Sequence, residues 1–411
     1  MKRILLPILL LLTCCASSQP LYSFTTSQNR IAHDRRLRDT VIGLALQQAL
    51  SSGTEQRWMS AFWAMELMLY KTPATKAKIA LAWRKAEKSS EDFQKALLQV
   101  SFTLYPNTFD NDALRLMLST PSNAVFVRCA EYLLLSKNKA AHLAVIERWL
   151  KERQRRSQSV GLALLEQRLK SRAQPAPPLP EMFSKNFLPG QTVIYSLQRS
   201  NRDYAGLVVI RKPDGSFVKT TNGTYYHSGQ LARAITNYPF YITNGNTPQG
   251  IYRWTGFDTS SITYIGPTPN LQMVMPCEAE VAVFFGDSTM NGKSWDLSTY
   301  ASLLPPSWKK HHGIYESFFA GQIGRSEIIM HGTTINPAYY TGQSYFPQTP
   351  SLGCLCSFEE WDKTGKRVAS HQQQIVDALH NAGSRNGYVV VIDLDNKNQS
   401  VSLAEILHFL R

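Results

Sequence analysis

The chain has 411 residues, 43% of them hydrophobic and 11% aromatic. That length suits two or three domains, and the apolar fraction excludes an intrinsically disordered polymer. The formal net charge of +14 is uneven: residues 1–184 hold 26 Lys/Arg and 14 Asp/Glu, whereas residues 185–411 hold 18 and 16.

Residues 1–20 read MKRILLPILLLLTCCASSQP. Lys2 and Arg3, the short apolar run Ile4–Leu12 and the small residues Ala16 and Ser17 have the layout of an export signal. The run is too short for a span, which needs about 20 apolar residues. Leu11-Leu12-Thr13-Cys14 also resembles a bacterial lipoprotein cleavage site, with Cys14 or Cys15 as the lipidated residue. The alternative is cleavage after Ala16 and a soluble product. The protein is therefore expected in the periplasm or cell envelope of a bacterium, either free or lipid-anchored. Export makes nucleic acid a poor partner for the basic half. Anionic envelope polymers or a membrane surface fit it better, unless the charge is simply a solvated helix face.

Residues 21–172 are expected to be all-α. Apolar residues recur at three- and four-residue spacing in Trp58-Met59-Ala61-Phe62-Met65-Met68, from Phe93 to Leu104, and in Val125-Val127-Ala130-Leu133-Leu134. Breaks fall at Thr72-Pro73, Pro106-Asn107 and Thr120-Pro121, and Ser122 or Asn123 suits an N-cap. Helix starts near 57, 93 and 124 are spaced as in a short helical-repeat solenoid. Such a surface would bind an envelope protein partner or brace a neighbouring domain. Residues 173–184, with Pro175, Pro177, Pro178 and Pro180, read as a stiff extended linker and as the domain boundary.

From 185 to 411 the texture changes to strands with a few helices. Runs at Thr192–Leu197, Gly206–Ile210, Pro239–Thr243, Glu280–Phe285 and Tyr388–Ile392 are β-branched and aromatic. Gln372–Ala382 reads as a helix ending near Gly383. The overall class is multidomain α + β. Outside the signal region the cysteines are Cys129, Cys277, Cys354 and Cys356. Cys129 lies in an apolar helical pattern and should be a core thiol. No bridge is expected between Cys354 and Cys356, and a Cys277–Cys356 bridge has no support beyond residue type.

Chemistry concentrates late in the chain. Ile328-Ile329-Met330 leads into His331-Gly332, and Ser351-Leu352-Gly353-Cys354 follows 23 residues after the His. The segment between them carries Tyr339, Tyr340, Tyr345 and Phe346, and a loop of that length inside a domain usually has a function. A thiol, an imidazole and small residues that open the backbone to an oxyanion are the parts needed for acyl transfer through a thioester. Either residue alone would more often be structural. No metal or other cofactor is required, and His311-His312 lacks ligand spacing.

His331-Gly332 followed by Ser351-x-Gly353-Cys354 resembles the signature of the YkuD-type L,D-transpeptidase catalytic domain. Thr247-Pro248-Gln249-Gly250-Ile251-Tyr252 resembles that family's TPxG-x-aromatic segment, and the pieces stand in the family's order over roughly residues 188–395. The resemblance implies a mainly-β L,D-transpeptidase-like domain acting on peptidoglycan stem peptides. Cys354 would be the nucleophile and His331 the general base and acid. The Gly332 carbonyl would orient the imidazole, Ser351 would shape the motif, and the Gly353 and Cys354 amides would form the oxyanion hole. Tyr339 and Tyr340 would cover substrate. Cys356 stands where the family commonly has a polar residue, often Arg, so substrate contacts of that kind fall to Arg325, Lys309 or Lys310. The long His-to-Cys interval implies an inserted lid. Water in place of an amine acceptor would give an L,D-carboxypeptidase. A non-catalytic envelope scaffold that only holds peptidoglycan is the contrasting expectation.

Overall fold

A computed structural model describes residues 20–170 and 176–410. The segment expected to be an export signal, through residue 19 and including Cys14 and Cys15, and residues 173–175 of the expected linker lie outside the described residues. Among those described, no helix is long and apolar enough to cross a membrane.

The first half is helical. Helix α1 (Ser27–Arg35) runs on through a π-helical stretch, Arg36–Leu44, into α2 (Ala45–Gln47). Seven longer helices follow: α3 (Glu55–Leu67), α4 (Pro73–Lys85), α5 (Glu91–Leu104), α6 (Asp110–Ser119), α7 (Asn123–Leu133), α8 (Lys139–Arg156) and α9 (Val160–Lys170). Their starts are set by local chemistry. Thr72 accepts the Thr75 N–H in a capping box with Pro73 in the first turn, while Ser90 and Ser122 accept the amides of Phe93 and Val125. Helix α3 packs on α5, α5 on α7 and α7 on α9, with α4, α6 and α8 alongside the helices that follow them. The apolar stripes of α3, α5 and α7 thus meet in one core around Trp58, Phe62, Phe93, Leu97, Phe126 and Cys129.

The second half closes a barrel. Its strands are β1 (Val193–Arg199), β2 (Gly206–Arg211), β3 (Ser228–Leu231), β4 (Gly250–Asp258), β5 (Asn270–Val274), β6 (Met330–His331) and β7 (Leu355–Ser357). Next come the hairpin strands β8 (Glu359–Trp361) and β9 (Arg367–Ser370), and then β10 (Gly387–Asp395). The barrel order is β1-β10-β4-β5-β6-β7-β3-β2, and β1/β10 and β6/β7 are its parallel pairs. Strands β1, β2 and β10 are buried throughout their apolar stretches, as near-continuous Val/Ile/Leu runs require. Short helices decorate the barrel: α10 (Leu179–Phe183), α11 (Val281–Phe285), α12 (Leu297–Ala301), α13 (Glu316–Gln322), α14 (His371–Asn381) and α15 (Leu403–Ile406).

Three expectations are corrected. Leu179–Phe183 is not linker: Leu179, Met182 and Phe183 recur at helical spacing and are buried in a barrel core, and Pro180 suits the first turn of α10. Glu280–Phe285 is the site of α11 rather than a strand. A short apolar run cannot separate the two by periodicity, and Gly286, at φ 65°, supplies a left-handed C-cap. Pro239–Thr243 is a loop bounded by Asn237 and Asn244 at φ 57° and 61°.

That loop shows that the boundary between the halves is not a clean break. Ile235, Tyr238, Tyr241 and Ile242 are buried in the helical core. The Tyr238 ring lies 4.2 Å from that of Phe102, and the Tyr241 hydroxyl donates to Glu131, which also pairs with Arg168 at 2.7 Å. Residues Leu21–Ser23 add backbone hydrogen bonds to the β8–β9 hairpin from the other side. The two halves should therefore unfold in one transition. Tyr238→Ala is expected to cost about 3 kcal/mol, the range for truncating a buried aromatic. Urea titrations followed by helical circular dichroism and by tryptophan fluorescence should shift together in that variant.

Candidate active site

Strands β6 and β7 bring the two halves of the motif side by side. Their parallel register pairs Met330 with Leu355 and His331 with Cys356. The Leu355 amide donates to the Ile329 carbonyl at 3.0 Å, which places Cys354 beside Ile329 just before β7 begins. Met330 and Leu355 face the barrel core. By the alternation of side chains along strands, His331 and Cys354 lie on the opposite, outer face. They are diagonal neighbours in the β6–β7 register, and among the described residues the hydrogen bond of the Cys354 thiol goes to the Glu327 carbonyl and not to His331.

His331 is buried, and its Nδ1 lies 2.5 Å from the Gly332 carbonyl oxygen. A carbonyl only accepts, so Nδ1 carries the proton and Nε2 offers a lone pair. Burial lowers the imidazole pKa, with the Gly332 bond opposing it. Cys354 is half-buried, and its Sγ lies 3.5 Å from the Glu327 carbonyl. Burial raises its pKa, partly offset by the Ile329 backbone bond and the nearby Arg325 guanidinium. Burial thus disfavours the charged form of both groups.

The glycines are dictated by close approaches. A Cβ on Gly332 would overlap the Glu359 carboxylate. Gly353 has φ 122°, and a Cβ there would overlap the Arg325 guanidinium and lie 2.8 Å from the Gly245 carbonyl. Ser351 Oγ accepts the Gly353 N–H at 3.0 Å and donates to the Cys354 carbonyl at 2.8 Å. Thr247 Oγ1 donates to the Gly353 carbonyl at 2.9 Å, which ties the TPQG segment to the Ser351–Cys354 turn.

Several expected roles change. The Gly353 amide already donates to Ser351 Oγ, whereas among the described residues the Cys354 N–H has no acceptor. Arg325 is buried, and its guanidinium donates to the carbonyls of Phe240, Gly245 and Asn246. It braces a loop instead of facing substrate. Tyr340 is fully buried with its hydroxyl on the Leu67 carbonyl at 2.9 Å, and the Tyr339 hydroxyl donates to Asp34. Both tyrosines anchor the 333–350 segment to the helical half. Cys356 is buried with Thr349 Oγ1 at 3.9 Å, and its pKa is pushed up to about 12 by burial, so it is a packing thiol.

One residue that motif reading passed over is Glu359. It accepts from Thr268 Oγ1, Ser370 Oγ and the Thr333 N–H. Only the pattern Phe358-Glu359-Glu360-Trp361, with a carboxylate at an inward position, hints at it. Comparison with known protein families, curated proteins and solved structures finds no match.

All four described cysteines are free thiols. Native protein treated with iodoacetamide should label Cys354 first, Cys277 more slowly, and Cys129 and Cys356 only after unfolding. Because burial holds the Cys354 thiol above its ordinary range, its labelling rate should keep rising with pH through about 8.5, the usual cysteine pKa. A plateau near neutrality would reveal a preformed thiolate. Peptide mapping at a series of pH values reads both.

Proposed function

We propose that the protein is a cysteine acyltransferase of the L,D-transpeptidase type, exported to the bacterial envelope and acting on peptidoglycan stem tetrapeptides. The observation that supports this reading is the β6–β7 register, which sets Cys354, the residue before β7, diagonally from His331, whose Nδ1 lies on the Gly332 carbonyl so that Nε2 could serve as the base. The ordered TPQG, HG and SLGC segments supply the substrate class through the resemblance.

In this mechanism Cys354 Sγ attacks the carbonyl of the third stem residue as its proton passes to His331 Nε2. The oxyanion of the tetrahedral intermediate meets the Cys354 N–H. Collapse breaks the amide bond, and the imidazolium returns its proton to the departing terminal D-Ala amine. The stem is left as a thioester on Cys354. An amine from a neighbouring stem then attacks, His331 takes its proton, and the thiolate leaves and is reprotonated. Water in place of the amine gives the trimmed tripeptide by the same steps, and this is the carboxypeptidase variant of the reading. The helical half supports catalysis by holding the 333–350 segment, and the lipid anchor at Cys14 or Cys15 would tether the enzyme to the membrane.

Purified protein incubated with stem tetrapeptides should release D-Ala and give cross-linked dimer or tripeptide by mass spectrometry. Cys354→Ala should give neither product. His331→Gln should lower turnover by about 100-fold or more, the usual contribution of a general acid–base group. Equal products from wild type and Cys354→Ala would remove the enzymatic reading.

A further inference from the structure

The peptide group that orients His331 has a second end. Its carbonyl, from Gly332, takes the imidazole Nδ1–H at 2.5 Å. Its N–H, from Thr333, donates to Glu359 Oε2 at 3.0 Å. A peptide is planar, so fixing one end fixes the other. A carboxylate on the N–H also polarises the carbonyl, since linked hydrogen bonds strengthen one another.

Glu359 is itself held firmly. It is 5% exposed, and its Oε1 accepts Thr268 Oγ1 at 2.5 Å and Ser370 Oγ at 2.6 Å. It presses on the Gly332 Cα so closely that any side chain there would overlap it. Trp361 Nε1 donates to the Thr333 carbonyl at 2.9 Å and pins the following peptide. The other charged or titratable groups around Glu359 are Arg367, bound to Thr268 Oγ1 at 2.9 Å, and the Cys356 thiol. Neither lies between Glu359 and the Gly332–Thr333 peptide in the bonded chain.

We propose that Glu359 is the positioning residue of the His331 imidazole, acting through the Gly332–Thr333 peptide in the way a directly bonded carboxylate orients the histidine of a triad. It selects the Nδ1–H tautomer, and it stabilises the imidazolium formed when Cys354 gives up its proton. This rests on the acyltransferase reading for its catalytic consequence, but the tautomer is a property of the resting fold and is tested without turnover.

The test uses full-length protein in three forms: wild type, Glu359→Gln and Thr268→Val. Long-range proton–nitrogen NMR reads the His331 tautomer, with His331→Gln to assign the signal. Wild type and Thr268→Val should hold the Nδ1–H form, and Glu359→Gln should shift population toward Nε2–H. Turnover of tetrapeptide should fall about 10-fold in kcat for Glu359→Gln with KM unchanged, the scale of losing a group that orients a functional histidine. Thr268→Val removes a hydroxyl from the same carboxylate but leaves the Thr333 bond, and it should keep kcat within about twofold of wild type. An unchanged tautomer in Glu359→Gln overturns the proposal, and so does an equal loss in both variants. If no form turns over tetrapeptide, the acyltransferase reading fails while the tautomer result still decides the role of Glu359.

Discussion

A buried guanidinium has to be surrounded by acceptors, and Arg325 organises the centre of this molecule for that reason. Removing an ion from water costs several kcal/mol unless hydrogen bonds replace the lost hydration. Burial lowers the Arg325 pKa to about 10, and the carbonyls of Phe240, Gly245 and Asn246 supply the acceptors. Those carbonyls belong to the loop between β3 and β4. Its other side chains, Tyr238, Tyr241 and Ile242, are buried among the helices. The same guanidinium lies against Gly353, one residue before Cys354. A single buried charge thus joins the helical core, the loop and the Ser351–Cys354 turn.

The helical half is therefore part of the site's construction. Tyr340, Tyr339 and Asn336 tie the segment between His331 and Cys354 to Leu67, Asp34 and Arg30 of the helices. Leu231, Tyr340 and Tyr345 form a small apolar cluster beneath it, and Arg233 stacks 4.7 Å above the Tyr345 ring. Closing a loop of this length costs entropy that the contacts with the helices offset. A barrel alone would leave His331 and Cys356 under a segment with little to hold it. Burial then does the chemical tuning, lowering the imidazole pKa and raising that of the thiol.

Much of this was legible in the residues. Strands β1, β2 and β10 and helix α14 fall where apolar runs and caps place them, because long buried runs leave little choice of element. His331 at a strand end and the Ser351–Cys354 turn were legible as a pair because their types are uncommon together. What was not legible depends on partners distant in sequence. Pro239–Thr243 has strand-like residues, yet Asn237 and Asn244 turn the chain so that its aromatics reach the helices. Tyr339, Tyr340 and Arg325 are residue types that bind substrates, and only their hydrogen bonds reveal that the fold already uses them. Glu359 resembles any strand glutamate until its three donors are seen.

The proposed mechanism depends on Cys354 carrying the acyl group. Its most direct test is the intact mass of the protein trapped during incubation with a stem tetrapeptide at low pH, followed by peptide mapping. An adduct of the tetrapeptide minus its terminal D-Ala is expected on the Cys354 peptide and should be removed by hydroxylamine. An unmodified Cys354 while products accumulate, or an adduct on another residue, would contradict it.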